Sequence, residues 1–169
     1  FLADLPEGSR NKYAMVGFRV GNTLSENGTV SRGLCSTNEQ GHLTTVVERT
    51  KIERHGDKVQ YMEEDGSWTT VPDNTPTSMN VWGFTPDYLE YSDADFREFL
   101  SDPKNIENKK SEYYIPMMVN KLITNGTATV DVLDTTSTWF GVTHNADRDG
   151  AVARIKQLVA DGVYPEKLF

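Results

Sequence analysis

Few residues in this chain combine types and spacings that could do chemistry. Glu48 and Arg49 set a carboxylate directly beside a guanidinium, an acceptor for hydroxyl hydrogens next to a fork shaped for phosphate. The same pair suits the solvent-facing end of a strand. Asn80 carries an amide that both donates and accepts hydrogen bonds. At Gly28-Thr29 the missing Cβ would let backbone approach a ligand closely, and Asn27-Gly28 equally suits a turn that starts a strand. His144 and Asp147 are spaced like an acid/base pair, an arrangement that at a helix start also serves as capping. Cys35 is the sole cysteine, which rules out an internal disulfide framework and suits a reducing compartment. The chain therefore reads as cytoplasmic.

These residues need a scaffold, and 169 residues with 37% apolar content can build one. A single domain of this size buries about 68–70% of the surface its unfolded chain exposes, so disorder is not expected. The net charge of −8 repels nucleic-acid backbone and anionic lipid. It leaves room for a small phosphorylated ligand, which needs only one local cation. No apolar run approaches the ~20 residues of a membrane span. The opening Phe1–Pro6 has neither a basic start nor a long apolar stretch, so it is not read as a signal peptide. It reads as the end of a helix entered midway. Asn27-Gly28-Thr29 and Asn125-Gly126-Thr127 match a glycosylation acceptor pattern and are read as turns.

The nearly continuous apolar run 13–20 predicts a strand covered on both faces. Segments 29–35, 43–50, 59–62 and 68–71, separated by Asn-, Gly- and Asp-rich turns, predict an antiparallel meander. Residues 72–78 read as a loop and 79–84 as a second buried strand. Thr85-Pro86-Asp87 predicts an N-cap, a proline at the first helical position and an acid in the first turn. The helix it opens runs to about Leu100, with Leu89, Phe96, Phe99 and Leu100 as its contacts. A polar linker, 102–110, leads to a helix carrying Ile115, Met118, Val119, Leu122 and Ile123, with Gly126 as its stop. Strands follow at 127–133 and 139–142, then a last helix over 146–161. The order implies an α/β sheet with an antiparallel excursion. A short parallel sheet of so few strands would leave a hydrophobic edge open, so the chain is expected to be one incomplete domain spanning 1–169.

Residues 15–30, Met-Val-Gly-Phe-Arg-Val-Gly-Asn-Thr-Leu-Ser-Glu-Asn-Gly-Thr-Val, resemble the bacterial sugar-phosphate nucleotidyltransferase family. So do Leu43–Arg49, Ser78–Phe84, Ser111–Pro116 and Trp139–Thr143, five blocks in the family's order. Members transfer a nucleotidyl group from a nucleoside triphosphate to a sugar 1-phosphate, releasing pyrophosphate with help from a divalent metal. The resemblance implies an α/β fold, here a partial nucleotide-diphospho-sugar transferase (Rossmann-like) sheet with its helices. It implies sugar contacts from Gly28, Thr29, Glu48, Asn80 and Glu112, and a phosphate contact from Arg49. Trp82 fits either an apolar wall of that pocket or the core.

The chain also departs from the family pattern. Pro116-Met117 replaces the usual Thr-Asp, and Thr143 stands where the family holds magnesium with Asp or Asn. Thr143 is a poor Mg²⁺ ligand, which leaves Asp147 or Asp134 to contribute. The glycine-rich nucleotide loop with its Arg and Lys has no counterpart, nor has a pair of adjacent aspartates. Because such transfer depends on positioning and charge neutralisation, the expectation is a sugar-binding half, inactive alone, of an enzyme acting on a sugar phosphate and a nucleoside triphosphate. Two other readings stay open. One is a non-catalytic module that binds a sugar or nucleotide-sugar. The other is a structural chain that forms a homodimer through an exposed sheet edge.

Overall fold

Tyr13 and Met15 are fully buried and Ala14 nearly so, which places the strand carrying them at the centre of the fold. The computed structural model describes residues 1–25, 28–141 and 147–167, with the side chain of Asp147 outside the description. It divides into two units, Phe1–Ser137 and Thr138–Phe169.

The first unit is built on β1 (Lys12–Arg19), β2 (Val30–Thr37), β3 (Leu43–His55), β4 (Lys58–Met62), β5 (Trp68–Val71), β6 (Pro76–Gly83) and β7 (Thr129–Thr135), with helices α1 (Asp87–Ser101), α2 (Pro103–Glu107) and α3 (Ile115–Thr124). The strands form one mixed sheet in the order β5-β4-β3-β2-β6-β1-β7. Only the β1–β7 pair is parallel. This corrects the expected short parallel sheet: meander and central strands are one layer, because β2 pairs with both β3 and β6.

The sheet curls. The β2–β3 turn is fixed by Asn38, whose Oδ1 accepts from the N–H groups of Gln40 and His42 at 3.1 and 2.9 Å, and by Gly41 at φ +80°. Beyond it, Val132 N–H donates to Gly41 O at 3.1 Å, and His42 Nε2 lies 3.1 Å from Asp131 Oδ1. The β7 edge, expected to be open, is thus partly covered here. At the other edge lies the four-residue β5.

Two core clusters follow from the alternation of side chains along the strands. One gathers Tyr13, Met15, Cys35, Leu43, Val46 and Val130 with Tyr88 of α1 and Met118, Val119 and Leu122 of α3; Trp82 packs against it. The other gathers Val20, Ile52, Val59 and Tyr61.

Several sequence expectations need correction. Strand β6 begins at Pro76, because Thr77 and Ser78 pair with β1 and β2 and a proline is tolerated at a strand's first residue. The polar linker contains α2, started by Asp102 Oδ1 accepting from Lys104 N–H at 2.9 Å. Helix α1 starts at Asp87 with no side-chain cap; Thr85 Oγ1 instead accepts from Lys12 N–H at 3.4 Å. Leu89, Phe96 and Leu100 are exposed, since α1 packs through Tyr88 and Tyr91. Residues 139–141 form no strand, and Val142 lies outside the described residues.

In the second unit, α4 (Asp147–Ala160) ends as expected at Gly162, with Val163 N–H donating to Leu158 O at 2.9 Å. No helix among the described residues is long and apolar enough to cross a membrane.

Candidate functional site

Strand β4 pairs with β3 only from Ile52 to His55. Along 43–50, β3 therefore has a strand partner on one side alone, and α3 packs over it. Asn120 of α3 compensates in part: its Oδ1 accepts from Val46 N–H at 3.4 Å. Between this stretch, β2, β6 and α3 lies a cleft of about 420 Å³. Its polar wall includes Ser31, Glu48, Ser78, Asn80 and Asn120, and its apolar wall Val46, Met79, Tyr114, Pro116 and Met117.

Gly33 makes the floor. It pairs with both Glu48 and Ser78, and a Cβ built on it would sit 3.0 Å from Val46 Cγ2, 3.4 Å from Ser78 Cβ and 3.5 Å from Glu48 Oε2. Gly33 is itself buried, and the side chains of Val46, Ser78 and Glu48 close around the place a Cβ would take.

Asn80 reaches the cleft through a bulge. Between Met15↔Trp82 and Gly17↔Ser78 the register slips, and Asn80 adopts φ +58°. Asparagine tolerates this left-handed conformation better than most residues, and Asn80 N–H donates to Ser78 Oγ at 3.2 Å. Bulges of this kind re-aim side chains beside functional sites.

The electrostatics centre on Glu48. Burial pushes its carboxyl pKa up, and Arg32 partly opposes this. Burial lowers the Arg32 pKa against the attraction of Glu48. The Arg32 terminal nitrogens donate to Ser31 O at 2.8 Å and Thr23 O at 2.7 Å. At the mouth, the Tyr114 hydroxyl is tied to Glu112, which raises its pKa. Below the floor, burial pushes the Cys35 thiol up to about 12, so it stays protonated and packs as a small hydrophobe.

Of the residues expected from sequence, the cleft brings together Glu48 and Asn80. Glu112 stands behind Tyr114 without lining the cleft. Arg49 turns toward the second core cluster, with its guanidinium carbon 4.5 Å from the centre of the Tyr61 ring and Nη1 3.4 Å from Glu63 Oε2. Side chains alternate along a strand, and at this point Arg49 takes the side of Tyr61 and Glu63 while Glu48 lines the cleft. Gly28 borders a separate groove with Gly21, Leu24, Ser25, Glu53 and Arg54, and Thr29 is exposed. Trp82 packs against core rather than lining the cleft.

The expected metal ligand Thr143 and the side chain of Asp147 lie outside the described residues, as does His144. Asp134 is engaged by Arg19 at 2.9 Å. Among the described residues no three His, Cys, Asp or Glu side chains come together to hold a metal ion.

Sequence reasoning missed Gly33, Ser78, Tyr114 and Asn120. Tyr114 fell within the Ser111–Pro116 block, and Asn120 stands as a polar residue one position after Val119 on the apolar stretch of its helix. No protein-family model matches this sequence, and no curated protein matches it either.

Proposed function

We propose that this cleft is the sugar site of an enzyme that transfers a nucleotidyl group from a nucleoside triphosphate to a sugar 1-phosphate. One observation carries the reading: Glu48 and Asn80, singled out for sugar contact and 32 positions apart in sequence, line the same cleft of about 420 Å³. A carboxylate and an amide lining one cleft offer acceptors and donors for ring hydroxyls, and the apolar wall offers a surface for the ring's C–H face. Arg49 plays no part in this cleft; the cation that lines it is Arg32, whose terminal nitrogens donate to Ser31 O and Thr23 O. The nucleotide and the magnesium ion belong to the proposed whole reaction, and no step is assigned to them in this cleft.

Isothermal titration of the chain with hexose 1-phosphates tests the reading. Glu48→Gln should weaken binding about tenfold to a hundredfold, the worth of a hydrogen bond to a charged group. Asn80→Gly accepts the positive φ and should keep its melting temperature while losing affinity. Full affinity in both variants would reject the cleft as the sugar site.

A further inference from the structure

The α3 wall of the cleft carries a pattern more specific than a sugar ring requires. Asn120 uses Oδ1 to accept from Val46 N–H. A backbone N–H can only donate, so the amide orientation is fixed and its Nδ2 hydrogens are the groups left for a ligand. The cleft at this position therefore asks for an acceptor. One turn earlier on the same helix stand Pro116 and Met117, both lining the cleft; residues at i and i+3 are neighbours on a helix surface. Met117 is 48% exposed, so apolar area lies uncovered beside the donor. An acceptor with a small apolar group attached to it answers both features, and a hydroxyl answers only the first.

We infer that the cleft selects sugars bearing an N-acyl substituent, the acyl oxygen accepting from Asn120 Nδ2 and the acyl methyl resting on Met117 and Pro116. The inference rests on the sugar reading above and narrows it to one class. Glu48 and Asn80, on β3 and β6, line the same cleft and are the groups proposed for ring hydroxyls. Met117 suits the role because a thioether adapts to the shape of a small group.

The test uses the full chain and titrates glucose, galactose and mannose against their 2-acetamido-2-deoxy counterparts, with glucosamine as control. One acetamido sugar should bind about tenfold or more tighter than its parent hexose, the discrimination expected from a contact of this size. Asn120→Asp keeps an oxygen for Val46 N–H and removes the donor, and Met117→Gln keeps the length and removes the apolar surface. In both, the preference should fall toward unity, the acetamido sugar losing more affinity than the parent hexose. Equal binding of parent and acetamido sugars would overturn the inference and leave the sugar reading intact. A preference that survives both substitutions would overturn it as well. So would glucosamine binding as tightly as the acetamido sugar, which would point to charge pairing with Glu48. Binding of none of these sugars would overturn both readings.

Discussion

Adding one methyl group at Gly33 should damage both the fold and the site, by amounts the geometry sets. In Gly33→Ala the new Cβ would lie 3.0 Å from Val46 Cγ2, about 0.4 Å inside ordinary contact. Val46 is 8% exposed and packed in the first core cluster, so it has little freedom to retreat. Overpacking of this kind costs about 1–3 kcal/mol. Replacing glycine returns about 0.4–1 kcal/mol by restricting the unfolded chain, which leaves a net loss of about 1–2 kcal/mol. At about 3 °C per kcal/mol for a unit this size, the melting temperature should fall by roughly 3–6 °C. The same methyl covers the cleft floor between Ser78 and Glu48, so hexose 1-phosphate affinity should drop at least about tenfold. Thermal melts followed by titration below the transition read both effects. An unchanged melting temperature with affinity within about twofold would show that Val46 and Ser78 do not close on this floor, and the reasoning would fail.

Asp87 is 1% exposed and accepts from Tyr13 Oη at 2.7 Å and Asn11 N–H at 2.9 Å. Burial pushes its carboxyl up, but hydrogen bonds from Thr85, Tyr13 and Asn11 prevail and hold it below 3.8. Its stabilisation is present above the unfolded value and is lost as pH falls through the lower folded value. Asp87→Asn should cost about 1–3 kcal/mol at pH 7 and flatten the acid limb of a stability profile below about pH 4; an unaltered profile would contradict this. Glu48 has the opposite sign. With its folded pKa raised above 4.5, ionisation costs stability that is intact below the unfolded value and declines as pH rises through the folded one. Glu48→Gln should match the parent at pH 4 and exceed it at pH 8, by less than about 1 kcal/mol because the carboxylate is solvent-accessible; denaturant titrations at the two pH values decide. Lys121 bonds to Asp95 and lies 3.3 Å from Glu98, and Asp95, only 13% exposed, also accepts from Tyr113 Oη. Lys121→Met should lower the melting temperature measurably, because the poorly solvated Asp95 carboxylate keeps its bond from Tyr113 Oη but loses its cation. Breaking the exposed Arg97–Asp93 pair should leave the melting temperature nearly unchanged. Equal melting temperatures for the two variants would refute the distinction.

The sequence showed most elements, because their signals are local. The apolar run of β1, the Asn-Gly and Asp-Gly turns and the 3.6-residue period of α3 all lie within a few residues of one another. What it concealed depends on pairing across the sheet. Nothing near Thr77 says that it is a strand residue; its partners on β1 and β2 decide that. For α1, the apolar residues Leu89 and Leu100 pointed to the wrong face, because Tyr88 and the buried Asp87 bind the helix to β1. The site divides in the same way. Glu48 and Asn80 could be named from residue type and their family-like setting, and Arg49 was joined to Glu48 on the same grounds, as a phosphate contact. Strand alternation separates that pair. Gly33 and Asn120 become visible only when the register sets Gly33 against Glu48 and Ser78, and when β4 ends early enough to leave Val46 N–H for a helix side chain.

The central claim is that a sugar phosphate occupies the cleft between β2, β3, β6 and α3. Backbone amide chemical shifts, followed while a panel of hexose 1-phosphates is added to the chain, test it most directly. The account predicts saturable shifts at Gly33, Glu48, Asn80 and Asn120, with Arg49 and Glu63 little changed. Saturable shifts confined to the groove of Gly21, Gly28 and Arg54, or none with any member of the panel, would contradict it.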